Sequence, residues 1–256
     1  MQSYTGFIEI GQDAAAVIES GSTNAAGVYT AGIQSCMVVV FECTDALVVV
    51  HDSAQLAFKE ITALVGQNGR CQRLTAIYPA GVGIHADRLN RLKLVTGVKG
   101  PKFLKVPVPA NDFAVAISVD GDYQVLPNGV ATGYTELPDK QVRTSVTELN
   151  NFFIKPNSKS MEVDVQYAGG KYNPRRGTDK TLDQMLDTTD QQPKFFFTNA
   201  ALIYAAHQLG VVTAPEYLLR LVERFGIQRY RTESVAPADY PVQALVFEEY
   251  RDARAR

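Results

Sequence analysis

The chain has 256 residues, 46% of them hydrophobic and 20% charged, with a formal net charge of −2. That length supports a substantial core, in one large domain or two small ones, and the composition is ordinary for a folded protein. The near-neutral charge gives no footprint for nucleic acid or an anionic membrane, and charges interrupt every apolar run well before the ~18 residues of a membrane span.

The N-terminus, MQSYTGFIEIGQD, lacks a basic segment followed by an apolar core, so no standard secretory signal is expected there. A cytoplasmic protein, or an effector released by another route, is the expectation. Gly6–Ile10 (GFIEI) reads as the first strand, followed by AAAVIES and a small-residue segment, Gly21 to Gly32. Such composition suits backbone in close quarters, either a tight loop or a wall approached by a ligand.

Residues 36–42 and 46–51 are two short Val- and Phe-rich runs separated by Cys-Thr-Asp, the pattern of a hairpin. Alternation puts Cys36, Val38 and Val40 on one face of the first strand and Met37, Val39 and Phe41 on the other. Apolarity on both faces predicts a central strand pair covered on both sides, in a sandwich or in a sheet flanked by helices. With the turn centred between Cys43 and Thr44, Cys36 falls opposite His51, Cβ atoms ~5 Å apart.

Asp52, with Gln55 three residues on, has the form of a helix N-cap, and Leu56, Ile61, Leu64 and Val65 supply an apolar stripe ending at Gly66. Cys71–Tyr78 reads as a strand, and the loop PAGVG leads to a helix over His85–Thr96. FLKVPV, FAVAISVDG and DYQVLP read as strands, the last two joined at Asp120-Gly121. From Pro156 the texture changes. MEVDVQY alternates as a strand, GGKYNPRRGTD is irregular, and TLDQMLD, NAALIYAAHQLG and PEYLLRLVERFG carry helical patterns before a charged tail. The expectation is an α+β fold: a β-sandwich-like core of mixed or antiparallel sheets flanked by helices. A single domain is expected, its core over about 1–170 and a helical region over about 171–256, the latter a possible subdomain.

Three cysteines (Cys36, Cys43, Cys71) without CxxC or a Cys/His cluster argue against a disulfide framework and a zinc knuckle. Their default role is buried free thiol in a reducing compartment. Cys43 reads as incidental to a turn and Cys71 as core filler. PAGVG is not a phosphate loop, and Asp120-Gly121-Asp122 fits a turn better than a calcium loop, so no metal or cofactor is expected. His85 at a helix start and His207 near a helix end suit capping or structural roles. Arg175-Arg176 reads as a solvated loop.

Cys36 and His51 together have catalytic potential, because an adjacent imidazole converts a thiol into the reactive thiolate. Such a pair needs a group that orients the imidazole and N–H donors for an oxyanion. The segment around residues 22–53 resembles the active-site region of the Cys/His protein-glutamine deamidases, the CheD-like and cytotoxic-necrotizing-factor-like family. The resemblance rests on Ile33-Gln34-Ser35-Cys36 leading into a strand, His51 fifteen residues on, and Thr30 six residues before the cysteine. It implies a sandwich-like α/β core, Cys36 as nucleophile, His51 as general base and Thr30 as the group that orients the histidine. Ser35 and Gln34 then border the oxyanion or substrate position, with Gln34 standing where CheD-type motifs have Gly. The implied activity is hydrolysis of a surface Gln of a target protein to Glu through a thioester, in a bacterial toxin or effector. Transglutamination or another acyl transfer would use the same residues. A non-enzymatic α+β binding or assembly protein, with Cys36 and His51 as core residues, is the alternative from another class.

Overall fold

In a computed structural model of the chain, residues 2–23, 25–82, 85–107, 112–137, 140–153, 162–163, 181–208, 214, 216 and 218–220 are described. In order the elements are β1 (Gln2–Ser3), β2 (Phe7–Glu9), β3 (Ala14–Glu19), β4 (Gly27–Ile33), β5 (Met37–Cys43), β6 (Ala46–Asp52), α1 (Phe58–Gln67) and β7 (Cys71–Pro79). There follow α2 (His85–Thr96), β8 (Lys102–Val106), β9 (Phe113–Ser118), β10 (Tyr123–Pro127), β11 (Ala131–Thr132), α3 (Lys140–Phe153), β12 (Glu162–Val163), α4 (Leu182–Gln191) and α5 (Pro193–Gln208). The chain divides into two compact units, Met1–Pro138 with Pro156–Ala168, and Asp139–Lys155 with Gly169–Arg256.

In the first unit the strands form a six-stranded sheet, β12-β3-β6-β5-β7-β8, a four-stranded sheet, β10-β9-β4-β2, and a small pair, β1-β11. The two apolar runs, β5 and β6, occupy the middle of the larger sheet, as their two-sided apolarity requires. One face carries Val38, Val40, Leu47 and Val49, which join Val28, Ile33, Val115 and Ile117 of the smaller sheet in a shared core. The opposite face carries Met37, Val39, Phe41, Val48 and Val50 against Ile61 and Val65 of α1 and Leu89 and Leu92 of α2. Sheet, sheet and helices therefore make three layers, an α+β arrangement. The outer face of the smaller sheet packs Tyr29, Ala114 and Ala116 with Tyr4 and Leu126.

The second unit is helical among its described residues. Val142, Val146, Leu149 and Phe153 of α3 form one stripe packed with Met185 of α4 and Phe196, Ala200 and Ile203 of α5. The capping box Thr181–Gln184 starts α4, its hydroxyl accepting from the Gln184 N–H while the Gln184 side chain accepts from the Thr181 N–H. Among the described residues no helix is long and apolar enough to cross a membrane.

Two local expectations are corrected. The hairpin turn is Thr44-Asp45, one residue later than expected, so Val38 pairs with His51 and Glu42 with Leu47. Asp52 does not cap α1, which starts at Phe58 with Ala57 before it and no side-chain cap. The strand pattern of 161–167 is described only at β12, and GGKYNPRRGTD, most of PEYLLRLVERFG and the charged tail lie outside the described residues.

The small-residue segment before β5 has a packing reason at Gly27. A Cβ there would sit 2.2 Å from the Ile117 carbonyl oxygen and 2.4 Å from the Phe7 ring. Gly27→Val is therefore expected to lose at least ~1–3 kcal/mol, read as a lower urea midpoint.

Candidate functional site

Thr30 and His51 lie on different sheets, and their side chains meet in the core between them. The Thr30 Oγ1 to His51 Nδ1 distance is 2.7 Å, and Thr30 Oγ1 lies 3.0 Å from the Ile10 carbonyl oxygen. Both residues are almost fully buried. A carbonyl oxygen can only accept, so the single hydroxyl proton of Thr30 goes to Ile10. The imidazole must then donate its Nδ1–H to Thr30 Oγ1, which leaves the lone pair on Nε2. His51 Nε2 is buried and has no hydrogen-bond partner among the described residues. Leaving such an atom unpaired costs about 1–3 kcal/mol, so it calls for an explanation beyond packing.

A β-bulge makes this placement possible. β4 pairs Thr30 with Val115 but Ile33 with Phe113, so an extra residue is inserted between Thr30 and Ile33. Gly32 takes the left-handed conformation there, φ +73°. Residues three apart normally face opposite sides of a strand. Here the bulge turns both Thr30 and Ile33 into the inter-sheet core. The chain then passes through a bend at Gln34 and Ser35, both exposed, from the smaller sheet into β5 of the larger one.

Cys36 sits at the end of that bend and is 4% exposed, within the same inter-sheet core. It is not directly opposite His51, which faces Val38. The later turn moves the pairing along by one pleat, and a shift of two residues preserves the face. Cys36 therefore stays on the His51 side of β5, in the position diagonal to it, where Cα spacings are ~7–8 Å. Thr30 makes the contact with the histidine, whereas Cys36, on the same face, makes no hydrogen bond to its Nε2.

The segment after His51 is fastened from the neighbouring strand β3 and from the helix face. The Asp13 N–H donates to the His51 carbonyl oxygen at 2.8 Å. Asp13 Oδ1 accepts from the Ser53 N–H at 3.1 Å and from the Ser53 hydroxyl at 2.6 Å. On the helix side the buried Asp52 carboxylate is paired with Arg88 of α2 through its Nε and through Nη2, the latter at 3.1 Å. Arg88 Nη2 also donates to the Leu56 carbonyl at 2.7 Å, and Asp52 Oδ1 accepts from Ala54 N–H at 2.9 Å. The strand end that presents His51 is thus held by a carboxylate on each side. The sequence offers Asp52 as a cap and gives no local sign of Arg88, which is thirty-six residues away.

Burial pushes the His51 imidazole down to about 4, with Asp13 pulling weakly the other way. Burial pushes the Asp52 carboxyl up to about 6 against the opposing pull of Arg88. His51 is therefore neutral at pH 7, ready to accept a proton at Nε2.

The other candidates lie elsewhere. Cys43 and Cys71 are neighbours on β5 and β7, at the far end of β5 from Cys36. His85 opens α2. His207, in the last turn of α5, accepts from the Ala214 N–H at 3.2 Å through Nδ1. Asp120–Asp122 form the β9–β10 turn, with the Gly121 N–H donating to the Ser118 carbonyl at 2.9 Å. Arg175 and Arg176 lie outside the described residues. A cleft of about 500 Å³ bordered by Glu42, Arg73, Lys102 and Tyr123 includes none of the Thr30, Cys36 and His51 group. No protein-family model matches the chain, and no curated protein matches it in sequence.

Two outcomes are expected. Arg88→Met leaves the Asp52 carboxylate buried without its partner, and should cost ~3–5 kcal/mol in chemical denaturation. His51 gives a pH dependence of fixed sign. Below 6.5 the unfolded chain binds a proton that the folded chain refuses until about 4, so this residue withdraws stability as pH falls through that window. Asp52, raised from 3.8 to about 6, acts in the opposite direction and is common to wild type and variant. His51→Gln should therefore lose less stability than wild type between pH 7 and about pH 4.5, by ~2–3 kcal/mol in paired urea titrations.

Proposed function

We propose that the chain is a Cys/His protein-glutamine deamidase acting on a surface Gln of a target protein. The observation that carries the reading is the Thr30–His51 hydrogen bond, which leaves Nε2 unpaired on the face shared with Cys36. His51 Nε2 takes the Cys36 proton as Sγ attacks the carboxamide carbon, and returns it to the departing ammonia. A thioester remains. A water deprotonated by the same nitrogen then attacks it, releasing Glu and the thiol. Thr30 keeps the Nδ1–H tautomer through both halves by accepting the hydrogen bond from Nδ1–H, while its own O–H stays donated to the Ile10 carbonyl. The low proton affinity of His51 means that thiol and imidazole rest as a neutral pair, the ion pair forming as the substrate arrives. Gln34 and Ser35, exposed at the bend, are where the target backbone is expected to seat. A bacterial toxin or effector acting on a host protein fits this chemistry, with the helical unit available for target recognition.

The burial of Cys36 and His51 supports a second reading, a non-enzymatic binding or assembly protein in which both are core residues. One experiment separates them. Cells expressing wild type or Cys36→Ala are compared by proteome-wide mass spectrometry for Gln-to-Glu conversion, alongside iodoacetamide labelling of the folded chain. Deamidation predicts conversions lost in Cys36→Ala and His51→Ala, and slowed up to roughly 10²–10⁴-fold in Thr30→Val with the fold kept. Absence of any Cys36-dependent conversion, together with a Cys36 thiol inert to labelling across neutral to alkaline pH, would establish the second reading.

A further inference from the structure

Cys43 and Cys71 are brought together by a feature that neither spacing nor composition announces. β5 and β7 pair antiparallel, with Glu42 opposite Arg73, but an irregularity follows and Cys43 then pairs with Cys71. At the next pair out the Thr44 N–H donates to the Arg70 carbonyl at 3.1 Å, and the Arg70 N–H donates to Thr44 Oγ1 at 3.1 Å. Hydrogen-bonded and non-hydrogen-bonded pairs alternate along an antiparallel ladder, so Cys43–Cys71 occupies a non-hydrogen-bonded position. Cα atoms there are ~4.5 Å apart, at the short edge of the range that a disulfide spans without backbone movement. Both side chains belong to the core on the helix side of the sheet, and the Cys71 thiol donates to the Arg73 carbonyl at 3.2 Å. Each cysteine is 9% exposed, but Thr44, Asp45, Arg70 and Gln72 around them are exposed, so the pair lies just beneath the surface at a strand end.

We propose that Cys43 and Cys71 are a redox-sensitive pair that closes into a reversible cross-strand disulfide. The pair is asymmetric. The neighbouring Cys71 thiol pulls the Cys43 thiol down, while Cys43 and burial push Cys71 up. Cys43 is then the sulfur that reacts first. With hydrogen peroxide, the Cys43 thiolate attacks one oxygen, breaking the O–O bond to give Cys43 sulfenic acid and one water after protonation. The Cys71 sulfur then attacks Cys43 Sγ, forming the S–S bond and expelling the second oxygen as water. Two thiols are oxidised by two electrons and one peroxide is reduced to two waters. The closed loop holds β6 and α1, so oxidation staples the hairpin that carries His51 to the neighbouring strand β7. This inference does not rest on the proposed deamidase chemistry.

The test uses the full wild-type chain, reduced, freed of reductant and titrated with hydrogen peroxide, then alkylated and digested without reduction. A Cys43–Cys71 linked peptide should form, lacking two hydrogens relative to the separate peptides and disappearing on treatment with dithiothreitol. The melting temperature should rise by roughly 5–10 °C on oxidation and return on reduction, with no such rise in Cys43→Ser or Cys71→Ser. Overoxidation of either residue to sulfinic acid without the linked peptide overturns the proposal. So does alkylation of both thiols after peroxide sufficient to oxidise free dithiothreitol, or a linked peptide that contains Cys36 instead.

Discussion

The hydrogen bond between Thr30 and His51 joins two buried polar side chains within a core built mainly of Val, Ile, Leu, Ala and Phe. Everything around it follows from making that link possible. Two buried polar side chains on facing sheets are tolerable only if each finds a partner, and here each finds the other. The third member, the Ile10 carbonyl, consumes the hydroxyl proton and thereby chooses the imidazole tautomer. A valine at position 30 would leave His51 free to take either tautomer, or to turn away. The threonine, its methyl packed in an apolar layer and its hydroxyl doubly engaged, holds the ring in one state.

That link would have little consequence if the end of β6 could shift. It is held by charges on the neighbouring strand and on the covering helix. Asp13 clamps Ser53 from the β3 side, and Arg88 reaches from α2 to Asp52 on the helix side. A buried Asp–Arg pair is a poor source of stability, because desolvation of both groups offsets most of their attraction. It does fix geometry, since the planar guanidinium meets two carboxylate oxygens and a main-chain carbonyl at once. The pair lies one residue from the histidine, where fixed geometry has the greatest effect on the site.

How far the sequence reveals this arrangement depends on the range of the interaction. Alternation has a period of two, so the faces of β5 and β6 are readable, and Cys36 and His51 do share a side. The register is not, because it turns on whether the hairpin loop is Cys43-Thr44 or Thr44-Asp45, and both pairs are plausible turn residues. Asp52 has the residue type and spacing of a helix cap, and only the folded chain shows its carboxylate bound to an arginine on another helix. The bulge at Gly32 is visible in composition only as a glycine among small residues. The stripe Val142, Val146, Leu149, Phe153 of α3 is a plain helical period that the strand-rich reading of the first half passes over.

β5 ties these observations together. It is a fully covered central strand, and its apolar middle, Val38 to Phe41, has no freedom to carry chemistry. The groups with chemical potential sit at its ends, Cys36 where the chain enters from the other sheet and Cys43 where it leaves for the turn. Strand ends are where the ladder can be interrupted, by the bend at Gln34-Ser35 on one side and by the irregularity beyond Glu42 on the other. Each interruption lies next to a thiol, Cys36 on the face it shares with the threonine-held imidazole at one end and Cys43 paired with Cys71 at the other. Seven residues of extended chain keep the two about 20 Å apart, far enough that neither sulfur meets the other. The same buried strand thus separates the thiol proposed as nucleophile from the pair proposed for oxidation, and its covered, extended middle keeps the two apart.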